Sequence, residues 1–215
     1  TVTAVNDVVT LTSAIADYTV LEDATATTVI DLDDVFDDID ILNGDASQTL
    51  TYSVFSNSNS GLATPSIDGN GVLTVSYTSE DNGSATITVQ ANDGNGSTLD
   101  ESFTVTVTAV NDLVTLTAAI DNYTVLEDAG PTPVIDLDDV FDDIDILNGD
   151  PTALQTLTFT VVDETNPDLA TPSIDVNGVL TVSYTDDDNG AAIITVRADD
   201  DNGSTRDESF IVTVT

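Results

Sequence analysis

The chain has 215 residues, of which 40 are acidic and two are basic, so its formal net charge is −38. This balance excludes a nucleic-acid partner and an anionic membrane surface, because phosphate binding needs a basic face. No apolar run approaches the ~20 residues that cross a bilayer, no signal peptide is recognised, and the absence of Cys excludes a disulfide framework. Hydrophobic residues nevertheless make up 40% of the chain. Many of them are Val, Ile and Leu set among Thr, a composition that predicts a folded β protein.

Alternating apolar and polar residues predict strands in the first half of the chain, separated by clusters of turn residues. DDVF (33–36) is expected to form one helical turn, with Phe36 and its counterpart Phe141 plugging the core. Ile30, Leu32 and Ile39 are further candidates to anchor this segment in the core. Seven or eight short strands with turns about every ten residues are typical of a Greek-key β-sandwich. The predicted strands are VVTLT (8–12), YTVL (18–21), TVIDL (28–32), TLTYSV (49–54), ATPSI (63–67), VLTVSY (72–77), ATITVQA (85–91) and ESFTVTVT (101–108).

The second half of the chain repeats the first. Residues 29–45, VIDLDDVFDDIDILNGD, return unchanged at 134–150, and TVTAVND at 1–7 returns at 106–112. A period of about 100 residues fits an immunoglobulin-sized domain and is too long for a solenoid unit. We predict two tandem all-β domains arranged end to end, cut from a longer array. The boundaries are 1–7 for the end of a preceding repeat and its linker, 8–110 for repeat 1, 111–112 for a linker and 113–215 for repeat 2.

The acidic residues are expected to gather at the ends of each sandwich, because alternate loops of this topology lie at the same end. The N-terminal end of repeat 1 should collect Asn6, Asp7, Asp38, Asp40 and Asp93. Where repeat 1 meets repeat 2, the joint should collect Glu22, Glu80, Asn111, Asp112, Asp143, Asp145 and Asp200. The preceding repeat is absent, so the first of these sites is predicted to be incomplete and weaker.

Crowded carboxylates require a cation. Two of them about 4 Å apart repel by roughly 4 kcal/mol at an intermediate dielectric. Calcium takes six to eight oxygen ligands in flexible geometry, whereas zinc, copper and iron prefer the His and Cys that this chain lacks. Calcium is therefore the predicted metal, in preference to magnesium, which gives up its water reluctantly. The alternative is a solvated acidic face that holds no ordered ion.

The order of these acidic motifs resembles that of cadherin repeats, in the form found in giant bacterial surface proteins. The resemblance covers both repeats and implies calcium held between successive domains. Cadherins carry a Glu before the second strand, Asp-x-Asp in the next loop, an acidic residue before the sixth strand, Ala-x-Asp closing that strand, and an Asp-x-Asn-Asp linker. The matching residues are Glu22 and Glu127, Asp38-Ile39-Asp40 and Asp143-Ile144-Asp145, Glu80 and Asp187, Ala91-Asn92-Asp93 and Ala198-Asp199-Asp200, and Val110-Asn111-Asp112.

The chain departs from the cadherin pattern at two places. Ala109 stands where the linker has its first Asp, and Thr78 and Thr185 replace the Asp of Leu-Asp-Arg-Glu. One or two calcium ions per joint are therefore expected. Asp93-Gly-Asn-Gly-Ser97 opens like an EF-hand loop but lacks its sixth-place Gly and closing Glu, so an EF-hand is rejected. Asp31, Asp33 and Asp34 are expected to decorate a strand end.

The predicted function is structural. The repeats would be calcium-stiffened extenders of a secreted, surface-anchored bacterial adhesin, monomeric and in contact with neighbouring repeats. The alternative is a calcium-dependent binding module for a polysaccharide or for repeats on another cell, with its variable contacts at 55–61 and 162–168. An enzyme is not expected, because the chain has no His, Cys or Lys to act as base or nucleophile. Paired carboxylates could serve a glycosidase, but short-looped sandwiches rarely form the cleft that it needs.

Overall fold

A computed structural model describes residues 5–43, 48–147 and 156–215, with the Leu147 side chain outside the description. The chain divides into two compact units, Thr1–Val110 and Asn111–Thr215. Among the residues that the structure describes, no helix has the length and apolar character needed to span a membrane.

The described residues of unit 1 form a β-sandwich with nine strands, one 3-10 turn and one short helix. The strands are β1 (Thr10–Leu11), β2 (Tyr18–Leu21), β3 (Thr27–Asp31), β4 (Phe36–Asp37), β5 (Thr51–Asn57), β6 (Ala63–Ile67), β7 (Val72–Tyr77), β8 (Gly83–Asn92) and β9 (Thr98–Thr108). The 3-10 turn is Leu32–Asp34 and helix α1 is Ile39–Leu42.

The strands of unit 1 form two main layers. One sheet has the order β2-β9-β8-β5 and the other β3-β7-β6, with a small β1-β4 pair beside them. The first strand of the larger sheet, β2, runs parallel to the last, β9, with Tyr18 opposite Val105 and Leu21 opposite Thr108. Every other pair in the unit is antiparallel.

Unit 2 repeats this topology, with the orders β11-β18-β17-β14 and β12-β16-β15 and a β10-β13 pair. The predicted fold class, all-β with a Greek-key sandwich in each repeat, is confirmed. Its elements are β10 (Thr115–Leu116), β11 (Tyr123–Val125), β12 (Thr132–Asp136), a 3-10 turn (Leu137–Asp139), β13 (Phe141–Asp142), α2 (Ile144–Leu147), β14 (Thr158–Glu164), β15 (Ala170–Ile174), β16 (Val179–Tyr184), β17 (Gly190–Asp199) and β18 (Thr205–Val214).

Both cores follow from the alternation in the sequence. Along β8, Ile87, Val89 and Ala91 are completely buried, while the residues between them lie on the outer face. Each fully buried Val, Ile or Phe side chain contributes roughly 1.5–3 kcal/mol through removal of apolar surface from water. Phe36 and Phe141, the predicted core plugs, are each 2% exposed.

The acidic segment 29–43 contains the main differences from prediction. The predicted helical turn forms one residue earlier than expected, at Leu32–Asp34, where the Asp31 side chain caps it by accepting a hydrogen bond from the Asp33 amide. Helix α1 was not predicted, because four residues are too few to show a helical period. The expectation that Ile39 anchors the core is wrong, since it is 46% exposed at the first position of that helix. The first strand is also shorter than predicted, at Thr10–Leu11.

Candidate metal centre

The Asp-x-Asp motif of unit 1 sits at the start of α1. Asp38 is the N-cap residue, and its Oδ1 accepts a hydrogen bond from the Asp40 amide at 2.9 Å. The Asp37 carboxylate accepts in turn from the Asp38 amide at 2.8 Å. Asp38 is completely buried, and its Oδ2 atom has no hydrogen-bond partner. The spacing of the motif thus places one capping carboxylate in the interior and a second in the first turn of the helix.

The entering linker contacts this turn and the last hairpin loop. The Asp7 amide donates to Oδ2 of Asp40 at 2.8 Å, and the Asn6 side-chain amide donates to Oδ2 of Asp93 at 2.9 Å. Gln48 is 9% exposed and donates from Nε2 to the Asn6 side-chain oxygen at 3.0 Å. The three segments that were predicted to share the N-terminal end of the repeat therefore do meet.

Asp93 is buried at the β8–β9 turn and holds that turn in shape. Its Oδ1 accepts from the amides of Asn95 and Ser97, at 2.8 and 2.9 Å. The Ser97 hydroxyl accepts from the Val9 amide at 3.0 Å, which ties the linker to the loop. The Asn6 hydrogen bond, helped by these loop amides, keeps the pKa of Asp93 below its usual range despite burial. The EF-hand-like loop is therefore a hairpin turn organised around Asp93.

Unit 2 has the same arrangement with its own residues. Asn111 donates to Oδ2 of Asp200 at 2.9 Å, the Asp112 amide donates to Oδ2 of Asp145 at 2.9 Å, and the Asp145 amide donates to Oδ1 of Asp143 at 3.0 Å. Asp143, Asp145 and Asp200 are 1%, 8% and 1% exposed. The Oδ2 atom of Asp143, like that of Asp38, is buried and has no hydrogen-bond partner. The cluster in each unit therefore consists of one Asn and four Asp at equivalent positions.

Two buried carboxylates of this cluster, Asp143 and Asp200, have opposite pKa shifts. Burial raises the pKa of Asp143, and the nearby Asp145, Asp200 and Asp112 carboxylates add to the rise against an opposing hydrogen bond from the Asp145 amide. The pKa of Asp200 is lowered, because hydrogen bonds from the Asn111 side chain and from loop amides outweigh the effect of its burial. Within either unit alone, no three described carboxylates bring one oxygen each within 4.8 Å of the others.

The orphaned oxygens test whether this cluster suits calcium. A buried polar atom without a hydrogen-bond partner costs about 1–3 kcal/mol, and more when it is charged. Calcium accepts carboxylate, amide and backbone oxygens at 2.3–2.6 Å, which are the donors collected here. The oxygen donors at this end of each unit are therefore of the kind that calcium takes, and the orphaned oxygen of Asp38 or Asp143 is a candidate ligand.

The opposite end of unit 1 carries Glu22 and Glu80. Glu22 is 4% exposed, its amide donates to the Thr108 carbonyl at 2.9 Å, and its Oε1 accepts from the Val110 amide. Glu80 occupies a left-handed turn position, with φ of 59°, and its amide donates to Oδ1 of Asp23 at 3.3 Å. The two predicted glutamates thus lie on neighbouring turns, beside the residues that lead out of the unit.

The corresponding end of unit 2 has the same turn with different side chains. Asp187 takes the left-handed position, with φ of 61°, and its amide donates to Oδ1 of Asp128 at 3.1 Å. Glu127, the counterpart of Glu22, is exposed, and its amide donates to the Thr215 carbonyl at 2.8 Å.

The Thr residues that replace a cadherin Asp have a local role. The Thr78 hydroxyl donates to the Gly61 carbonyl, and the Thr185 hydroxyl donates to the Asp168 carbonyl at 2.5 Å. Each hydroxyl closes a loop of its own repeat.

Asp33, which was expected to decorate a strand end, accepts a hydrogen bond from the Tyr52 hydroxyl at 2.6 Å.

Three participants were missed from the sequence: Asp37, Gln48 and Ser97. Asp37 supports the Asp38 amide, Gln48 holds the Asn6 side chain, and Ser97 fixes the linker through the Val9 amide. Repetition in the second half offered a signal for two of them, since Asp142 and Ser204 make the same contacts there at 2.8 and 2.9 Å. The counterpart of Gln48, Gln155, lies outside the described residues.

We expect Asn111→Ala to reduce the stability of unit 2 at neutral pH by about 1–2 kcal/mol, since a hydrogen bond to a charged group is lost. The pKa of Asp200 is lowered in the folded state. The hydrogen bond from Asn111 therefore stabilises unit 2 at pH values above the usual carboxyl pKa, and this stabilisation is lost as the pH falls through the pKa of the folded state. The difference between variant and parent should therefore vanish in acid. Urea unfolding at several pH values measures it, with Asn189→Ala on an exposed loop as control. An equal loss at every pH would contradict the assigned role.

Comparison with known proteins places the fold. A scan against family models and a search of curated proteins both find no match. Among solved structures, human CDH23 repeats EC21–23 superpose with a TM-score of 0.58 at 21% identity, over 92% of this chain and 66% of that one. Human mucin-like protocadherin EC1–2 gives a TM-score of 0.52 at 16% identity, over 96% and 98% of the two chains.

A third structure, the extracellular domain of protocadherin gammaB4, gives a TM-score of 0.52 at 18% identity and covers 97% of this chain and 34% of that one. The chain thus spans just under two thirds of the CDH23 fragment and a third of the protocadherin ectodomain. These likenesses show that the chain has the fold of cadherin ectodomain repeats.

Proposed function

We propose that the chain is a pair of calcium-stiffened extender repeats from a large bacterial surface adhesin. The observation that carries this proposal is the buried carboxylate cluster at the N-terminal end of each unit, with one orphaned oxygen on Asp38 and one on Asp143. Burial of several carboxylates without a compensating positive charge opposes folding. The Arg197 guanidinium pairs with Asp207, 2.6 Å away on another part of the unit. The other basic residue, Arg206, is exposed on β18, so the compensation that we propose is a cation from solution.

The proposed joint uses residues from successive repeats. Val110, whose amide donates to the Glu22 carboxylate, is followed directly in the sequence by Asn111 and Asp112. The chain therefore leads from the acidic end of unit 1 into the acidic linker of unit 2. Glu22 and Glu80 would supply ligands from unit 1, and Asp112, Asp143, Asp145 and Asp200 would supply them from unit 2. An ion bound in this way would neutralise the repulsion between these carboxylates and would stiffen the linker between the repeats.

The affinity range of extracellular calcium sites and the fold of the similar structures both support calcium binding outside the cell. Extracellular modules bind calcium with dissociation constants of ~10⁻⁴–10⁻³ M, and such sites fill where calcium is millimolar. The similar solved structures include the extracellular domain of a protocadherin. A long array of such repeats would hold a distant adhesive domain away from the cell surface. This setting is proposed by analogy of fold.

Solution scattering of the full chain tests the stiffening. With calcium, we expect a larger maximum dimension and a scattering curve that a single extended shape fits; with chelator, a broader set of shapes is needed. Asp112→Asn should abolish the calcium response, whereas Asp163→Asn on exposed strand β14 should leave it intact. Superimposable curves with calcium and with chelator would overturn the proposal.

A further inference from the structure

The outer face of the larger sheet in unit 1 is nearly free of charge. Across β8 and β9 the side chains pair as hydroxyls and amides: the Thr88 hydroxyl lies 2.8 Å from that of Ser102, and Gln90 donates to Asp100 at 2.8 Å. Asp100 is the only acidic residue at the outward positions of these two strands. A second carboxylate, Asp17, lies at the β2 edge and accepts from the Thr104 amide at 2.6 Å, so this face carries little of the net charge of −38.

An exposed aromatic ring lies at the edge of this face. Phe55 is 61% exposed and stands at a β-bulge of edge strand β5, between Val54 and Ser56. Ser56 is paired with Thr88, so the bulge borders the hydroxyl row. The other ten Phe and Tyr residues of the chain are buried or half-buried. An isolated apolar side chain on a surface is common, but here the ring adjoins a flat row of hydrogen-bonding groups.

The charge of the chain decides which partner suits this face. A second copy of the chain carries the same net charge, and acidic polysaccharides and nucleic acids are likewise repelled. A basic partner is attracted to the carboxylate-rich ends of the unit, whereas this face offers it little negative charge. A neutral polysaccharide carries no charge, offers hydroxyls to Gln90 and Asp100, and presents apolar C–H faces that stack on an aromatic ring. We propose that this face of unit 1 binds a neutral polysaccharide, with Phe55 stacking on a sugar ring and Gln90, Asp100, Thr88 and Ser102 supplying hydrogen bonds.

Unit 2 lacks these features at the same positions and so provides an internal contrast. Val162 replaces Phe55, and an Arg197–Asp207 ion pair replaces Gln90–Asp100. Ile193 and Ile211, which are 44% and 39% exposed, face each other where unit 1 has Thr86 and Thr104. The binding site is therefore assigned to unit 1. It uses none of the carboxylates of the metal centre, so the proposal does not depend on calcium.

Affinity electrophoresis and calorimetry of the full chain test this inference. The probes are a soluble neutral β-glucan, a neutral galactomannan and, as the charged control, alginate. Binding to at least one neutral polymer and none to alginate is expected. Phe55→Ala should weaken that binding about tenfold, which corresponds to roughly 1.4 kcal/mol. Phe55→Trp should retain or strengthen it, and Val162→Ala should leave it unchanged. Thermal melts check that each variant is folded.

Three results would overturn the proposal: no binding of either neutral polymer, equal binding by Phe55→Ala, or equally tight binding of alginate. Light scattering gives a further check. If Phe55 instead mediates self-association, the parent will form dimers that Phe55→Ala abolishes, and the polysaccharide assignment falls. Repeating the binding with chelator separates this site from the metal centre. Scattering curves that do not respond to calcium, together with binding that is retained in chelator, would count against the extender mechanism alone.

Discussion

Calcium in about 100-fold excess over its dissociation constant is expected to raise the free energy of unfolding by roughly 2.7 kcal/mol for each site filled. For a repeat of this size, 1 kcal/mol shifts the melting temperature by about 4–8 °C, so one filled site should raise it by roughly 10–20 °C. The physical reason is that the buried oxygens of Asp38 and Asp143 gain a partner only when the cation is present. Calorimetric melts with calcium and with chelator measure the effect.

The control distinguishes an ordered site from a diffuse acidic face. Sodium chloride at the same ionic strength screens exposed charges, but it screens buried groups much less. If monovalent salt reproduces the whole calcium effect, the negative charge is neutralised diffusely and no specific site is needed. A calcium-specific shift that titrates to saturation supports the metal centre. Magnesium should give a smaller shift, because it gives up its water reluctantly.

Replacing Asp143 by Asn is expected to have opposite effects with and without calcium. In chelator, the variant removes a buried charge that lies near three other carboxylates, while its side-chain oxygen can still accept from the Asp145 amide. Unit 2 should then gain about 1–3 kcal/mol, the cost of an unsatisfied buried group. In calcium, the variant lacks a central carboxylate ligand and should fall below the parent in stability. Chemical denaturation with chelator and with calcium measures the change in stability in each condition.

The pH dependence supplies a second readout for Asp143. Its folded pKa is raised, so its contribution to stability is present below the usual carboxyl pKa and is lost as the pH rises through the folded value. Without calcium, mild acidification from neutral pH should therefore stabilise unit 2 in the parent more than in Asp143→Asn. Asp163→Asn, which removes an exposed charge from the same unit, is the matched control. Destabilisation by Asp143→Asn in chelator as well would show that the carboxylate is already compensated within the protein.

Most of the fold could be predicted because the two-residue period of the strands and the internal repeat indicate the same elements. The predicted strands Tyr18–Leu21, Ala63–Ile67 and Val72–Tyr77 coincide with those observed, since their alternation is uninterrupted and their ends carry turn residues. The segment at 29–43 was harder, because Leu32, Phe36 and Ile39 looked equally suited to a core. Only the capping by Asp38 decides that Ile39 starts a helix and faces outward.

The carboxylates of the candidate site could be predicted, but the residues that position them could not. Asp38, Asp40 and Asp93 stand out because acidic motifs recur in a fixed order. Gln48 recurs as Gln155, but it is a single amide outside the acidic motifs, and its role depends on a contact with Asn6 across 42 positions of sequence. Phe55 lies in the range 55–61 that was predicted to carry variable contacts, but the sequence does not single it out. A bulge shifts the strand register, and the period alone cannot tell which neighbour it leaves on the surface.

The parallel pairing of β2 with β9 determines how one repeat responds to tension. The chain enters near β2 and leaves after β9, and the two strands run in the same direction through four consecutive register pairs. A pull on the two ends therefore drags these strands past each other lengthwise. The hydrogen bonds between them are loaded together in shear, and they do not break one after another from one end. A tether built from such repeats would give way under flow only when a whole row of bonds fails at once.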